Sequence, residues 1–182
     1  MPALLAHLMN TGLGPYYDGL LHLFVTPEDL LPVLALALLA GLRGPAPGRL
    51  ALFCLPASWL AGEFLGRAIG PLASLPLAAA ALTVALGALV AADRALFPAV
   101  VAGLAIVLGV LHGVWNGAEL GRASGAIGNA LGVASAIFVV VALVAGFVCT
   151  LRAPWARIAV RVAGSWIAAA GIFMLGWTLR AA

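Results

Sequence analysis

Long apolar runs, separated by short clusters of Gly, Pro, Asp and Arg, make up almost the whole chain. Six of them fall at about 27–42, 50–69, 72–92, 95–119, 127–151 and 155–177, close to the ~20 residues a helix needs to cross a hydrocarbon core. The pattern predicts an all-α membrane bundle of about six transmembrane helices. Residues 1–25 are apolar too, but broken between Asn10 and Gly19 by Gly12, Gly14 and Pro15. A break of that kind at membrane depth needs protein cover, so 1–25 is expected to form a short interfacial or re-entrant segment, with Tyr16 and Tyr17 near the headgroups. Thr26 then has the features of an N-cap, Pro27 suits a first helical position, and Glu28 and Asp29 complement the helix dipole. No basic residue precedes the first apolar ones, so a cleavable signal peptide is not expected.

Against this background the few polar positions stand out. His112, Asn116 and Glu119 are spaced i, i+4, i+7, which puts them on one helical face. Beside them run Gly109, Gly113, Gly117 and Gly121, one turn apart. A stripe without side chains invites a second backbone, so this polar stripe belongs at a helix contact and not toward lipid. Gly62, Gly66 and Gly70 form a second ladder, carrying Glu63 and Arg67 at i, i+4; that pair reads as a partly exposed ion pair that satisfies itself. Such ladders also offer contacts for a homo-oligomer or a larger membrane complex.

Composition confirms the class. Hydrophobic residues make up 65% and charged residues 8% of 182 positions, with mean hydropathy +1.18, where a soluble domain holds roughly a quarter charged residues. The expectation is one integral-membrane domain over 1–182, with the lipid bilayer as its surroundings. The net charge of +3 comes from nine basic residues, all Arg and scattered singly at span ends, a pattern for orientation in a membrane and not for nucleic acid. Arg43, Arg49, Arg94, Arg152, Arg157 and Arg161 fall on one side, and Arg67, Arg122 and Arg180 on the other. The positive-inside rule then places the first set in the cytoplasm and both termini on the outer side. His22, Glu28, Asp29, Glu63, His112, Asn116 and Glu119 all gather at the outward half, where ionisable residues in a membrane protein signal function.

His22, Glu28 and Asp29, with His112, Asn116 and Glu119, form a nitrogen and oxygen donor set suited to first-row divalent ions. Trp115, three positions from His112, is placed to wall such a site, whereas the other tryptophans read as belt or packing residues. Cys54 and Cys149 are isolated in apolar runs and read as small, buried and inert. His7 reads as interfacial. No nucleotide-binding loop, nucleophile elbow or zinc-protease motif occurs, so nothing marks the chain as a hydrolytic or ATP-driven enzyme.

Taken together, the two polar segments resemble the HupE/UreJ family of small bacterial membrane proteins, proposed nickel permeases. The family's first signature has the form His-Pro-x-x-Gly-x-Asp-His-Leu-Leu. His22 matches its first His, Glu28 falls on the Asp, Asp29 on the next His, and Leu30 and Leu31 follow in place. The second signature resembles His-Gly-His-Ala-His-Gly-Ala-Glu; His112, Gly113, Gly117, Ala118 and Glu119 match, with Val114 and Asn116 in place of two histidines. Leu23 and Thr26 further replace the Pro and Gly of the first signature. The resemblance implies transport of a divalent, nickel-like transition-metal ion across the bacterial plasma membrane, through a site richer in oxygen than the family pattern. Two alternatives stay open: a membrane-integral metalloprotein or metal-dependent enzyme with a fixed outward site, and an accessory subunit of a membrane complex.

Overall fold

The computed structural model describes residues 11–72, 74–120 and 125–181. His7, Gly121 and Arg122 lie outside the described residues. Among those described, the chain is entirely helical: α1 (Pro15–Val25), α2 (Pro27–Arg43), α3 (Pro45–Ile69), α4 (Leu75–Ala92), α5 (Pro98–Leu120), α6 (Ala126–Thr150) and α7 (Pro154–Ala181). Five of the seven begin at a proline, whose missing N–H costs nothing in a first turn. The helices α4 to α7 are each long and apolar enough to cross a membrane, and α1 with α2, bent by 75° at their junction, makes a fifth candidate if the two count as one broken span. The 25-residue α3 has the length to span but falls outside those candidates, because Ser58, Glu63 and Arg67 dilute its hydropathy. Four to five candidate spans therefore stand where the sequence led us to expect about six.

The bend between α1 and α2 follows from Thr26 and Pro27. A proline drives the residue before it out of the helical region, and Thr26 is extended at φ −109°, ψ 93°. Its carbonyl receives the N–H groups of Asp29 and Leu30 at 3.0 Å each, but its side chain makes no cap bond. Thr26 thus occupies the N-cap position without capping through its hydroxyl.

Helix α2 is the hub, with Val33, Ala35, Leu36, Ala37, Leu39 and Ala40 fully buried among α3, α4, α5 and α6. Three close pairs complete the bundle: α3 with α5, α4 with α7, and α1 with α6. Each is a glycine contact, in keeping with membrane packing, where small residues let backbones approach. Gly109, Gly113 and Gly117 of α5 lie on α3, at Ser58, at the Trp59 carbonyl and at the Glu63 carbonyl, while Gly62 and Gly66 of α3 lie on the carbonyls of Val110 and Val114. The two ladders read from the sequence therefore meet each other within the chain at Gly62 and Gly66 on one side and Gly109, Gly113 and Gly117 on the other.

One end of the bundle is tied by arginines. Arg43 and Arg157 both close on the carboxylate of Asp93, and Arg161 Nε donates to the Ala91 carbonyl at 2.9 Å. This joins the end of α2, the α4–α5 turn and the start of α7. Asp93 is also the one described non-glycine residue with positive φ, 49°, a conformation that Asp and Asn tolerate better than other side chains. Asp93→Asn preserves that tolerance and removes the charge opposite Arg43, which is nine-tenths buried. A loss of about 1–2 kcal/mol is expected, between an exposed pair and a buried one, and thermal unfolding in detergent would read it; an unchanged midpoint would mean the clasp contributes nothing. Cys54 is half-buried and Cys149 is exposed on α6, so neither is the fully buried thiol expected from its apolar neighbours; a surface that faces lipid is as apolar as a core.

Candidate functional site

Helix phase and the 75° bend together determine which polar side chains meet. His22 is one turn before the end of α1, and Thr26 N–H bonds to its carbonyl at 3.1 Å. The chain then turns sharply, so Asp29, in the first turn of α2, comes back toward His22. On α5, His112 and Asn116 are one turn apart and face the same point. Gly113 and Gly117 on that helix let α3 close against it.

The result is a buried four-residue network: Asp29, His112, Asn116 and His22 are 2%, 0%, 8% and 4% exposed, well inside the fold and out of bulk water. Asn116 Nδ2 donates to Asp29 Oδ2 at 2.9 Å and to the His112 carbonyl at 3.1 Å. Its Oδ1 is thereby turned to His22 Nε2, at 3.1 Å. His112 Nδ1 lies 2.9 Å from Asp29 Oδ1, and His22 Nε2 3.5 Å from Asp29 Oδ2. An amide oxygen only accepts, so His22 carries its proton on Nε2. With Asp29 accepting at both oxygens, His112 carries its own on Nδ1, leaving the Nε2 lone pair unused. That atom is buried and without a hydrogen-bond partner.

Six residues were expected at the site, and the structure divides them. His22, Asp29, His112 and Asn116 come together. Glu28 is half-buried and Glu119 exposed, and neither joins the network. Glu119 Oε1 accepts from Trp115 Nε1 at 2.6 Å. Glu28 and Trp115 line a cleft of about 570 Å³ between α2, α4, α5 and α7, with Thr83, Phe173, Met174 and Trp177 on its far walls. Trp115 is thus bonded to Glu119 and shares the cleft wall with Glu28, its ring 6.1 Å from that of His112. Among the described residues, no group of three or more His, Cys, Asp or Glu side chains is arranged to hold a metal ion.

Two residues of the neighbourhood were not among the six expected at the site. Glu63 forms the expected ion pair with Arg67, but its own end of that pair is buried, at 4% exposed. Arg67 reaches its Oε2 only at 3.4 Å and spends its better bond, 2.7 Å, on the Ala126 carbonyl, while Oε1 has no partner. Trp59 is fully buried, with its ring 5.4 Å from that of His112. Its indole N–H lies beside the Glu63 carboxylate without completing a hydrogen bond. The i, i+4 spacing of Glu63 and Arg67 disguised the first, and a lone Trp in an apolar run disguised the second.

The comparison with known families covers nearly the entire chain. A family model described as HupE / UreJ protein matches residues 1–174, a range that takes in both polar segments and six of the seven helices in full. No curated protein and no solved structure matches the chain. The two segments whose spacing resembles the family signatures are the ones that meet in the buried network, and the chain belongs to the HupE / UreJ protein family.

Proposed function

We propose that this protein carries a divalent transition-metal ion, nickel-like in its ligand needs, across the bacterial plasma membrane. The observation that carries the reading is the meeting of His22 and Asp29 with His112 and Asn116, across 83 to 94 residues of sequence, in a buried network. Buried charge argues in the same direction. Two buried carboxylates lie in this region, Asp29 paired with His22 and His112 and Glu63 with Arg67, and acidic groups gathered at low dielectric favour a cation. In this reading α2 to α7 are six crossings, with α3 held in the bundle although too polar to insert alone, and α1 is the re-entrant piece that delivers His22. The network faces outward, by the arginine distribution. Glu28 and Glu119, flanking Trp115, collect the ion at the cleft.

The imidazoles and oxygens present suit nickel, cobalt, iron, manganese or zinc; with Asp29 and Asn116 at positions where the signatures carry histidine, the selection should be broader than for a histidine-rich site. Uptake of Ni²⁺ and Co²⁺ into proteoliposomes measures the activity directly. His112→Ala is expected to lower uptake at least tenfold. Wild-type protein that moves no metal but retains it stoichiometrically would refute transport in favour of a fixed-site metalloprotein.

A further inference from the structure

Four polar atoms near the network are buried without a hydrogen-bond partner: His112 Nε2, Trp59 Nε1, Glu63 Oε1 and Arg67 Nε. They lie along one seam. Gly113 of α5, next to His112, rests on the Trp59 carbonyl, and Gly117, next to Asn116, rests on that of Glu63. The Trp59 ring packs on the His112 ring, and its N–H lies beside the Glu63 carboxylate. Glu63 is also within Coulombic reach of His22 and Asp29. Buried polar atoms are nearly always paired; Trp59 Nε1 and Arg67 Nε are donors that flank Glu63, so the atoms that call for a ligand are the two acceptors, His112 Nε2 and Glu63 Oε1.

Their chemistry specifies it. The hydrogen bond from Nδ1 to Asp29 leaves His112 presenting Nε2 as a lone pair, the arrangement found where a carboxylate orients a metal-ligating imidazole. Glu63 Oε1 supplies a negative oxygen donor. A lone donor group such as a hydroxyl or ammonium would meet the same acceptors, but the carboxylate's charge favours a metal cation. We propose that Glu63 is a cation ligand of the path, sharing the ion with His112 Nε2, while Asp29 and Asn116 position the imidazole without touching the ion. Two protein ligands, the remaining positions being water, make a loose site suited to an ion that must leave again. Trp59 walls it, and its N–H is available to a metal-bound water only through that water's oxygen.

The inference rests on the transport reading, and the test separates the two. In proteoliposomes loaded by external Ni²⁺, Glu63→Gln is expected to raise the half-saturating concentration at least tenfold. On wild-type protein, saturating Ni²⁺ is expected to protect Glu63 from an apolar carbodiimide, read by peptide mass spectrometry, a measurement independent of whether the variant folds. If wild-type uptake is normal, yet Glu63→Gln matches it and labelling ignores Ni²⁺, Glu63 is not a ligand and transport survives. If wild-type protein neither moves nor binds Ni²⁺, both fall.

Discussion

Asp29→Asn is expected to lower Ni²⁺ uptake by about 10–100-fold, the usual effect of removing the group that orients a metal-ligating imidazole. The two oxygens of Asp29 each have a distinct donor, His112 Nδ1 and Asn116 Nδ2, both at 2.9 Å. An amide has one oxygen, so one of the donors must then face an N–H₂ group. If His112 moves its proton to Nε2 in response, that atom no longer offers a lone pair and the ion loses a ligand. Asp29→Ala removes both acceptors. At about 1–3 kcal/mol for each buried group left unpaired, it should destabilise the fold by about 2–4 kcal/mol as well as stop transport. Glu28→Gln is the control, one residue away in the same first turn. Glu28 is half-buried at the cleft and outside the network, so its replacement is expected to leave stability within about 0.5 kcal/mol. Parallel uptake and thermal-unfolding measurements would settle the matter. Equal losses of stability for Glu28→Gln and Asp29→Ala would remove the distinction on which the positioning role depends.

That distinction marks how far the sequence could be read. Helical character was legible because apolar runs of span length, punctuated by Pro and Gly, admit little else. The pairing of His112 with Asn116 was legible from one turn of spacing. Glu119 lies within about 20° of His112 in helical phase, yet about 10 Å farther along the axis, and there it turns to Trp115. Phase gives the face and not the partner at each level. Glu28 and Asp29 were indistinguishable as neighbouring acids, although successive residues on a helix point about 100° apart. Only the 75° bend at Thr26 decides which of them meets His22. Glu63 was hidden for a different reason. Its i, i+4 arginine offered a complete local explanation, whereas the structure gives Arg67 a better acceptor in the Ala126 carbonyl, a contact between residues far apart in sequence. The spans were the harder part: α3 is helical over its full length but too polar to pass as a free apolar segment, because it carries half of the neighbourhood of the site.

Gly117→Ala is expected to destabilise the protein by about 2–3 kcal/mol and to abolish metal uptake, whereas Gly103→Ala on the same helix should stabilise it by up to about 1 kcal/mol. Both exchange glycine for the better helix former in α5, so intrinsic propensity favours both equally. What differs is what the new methyl group meets. Nothing lies within 4 Å of a Cβ at Gly103, but one at Gly117 overlaps the backbone carbonyl of Glu63. A flexible side chain could swing aside; a carbonyl within α3 moves only if the helix moves. Helices α3 and α5 would then part at the level of Asn116, one residue from the substitution. Asn116, whose side chain bonds Asp29 at 2.9 Å, and the Glu63 backbone that rests on Gly117 both lie at that level. The loss should therefore exceed that of an ordinary overpacked core site, since packing and polar network fail together. Opposite signs for the two variants in a denaturant or thermal unfolding series would establish the seam as the element that holds the site. If Gly117→Ala is as stable as Gly103→Ala and still carries Ni²⁺, α3 and α5 do not approach as closely as described, and the shared role of Glu63 and His112 loses its geometric basis.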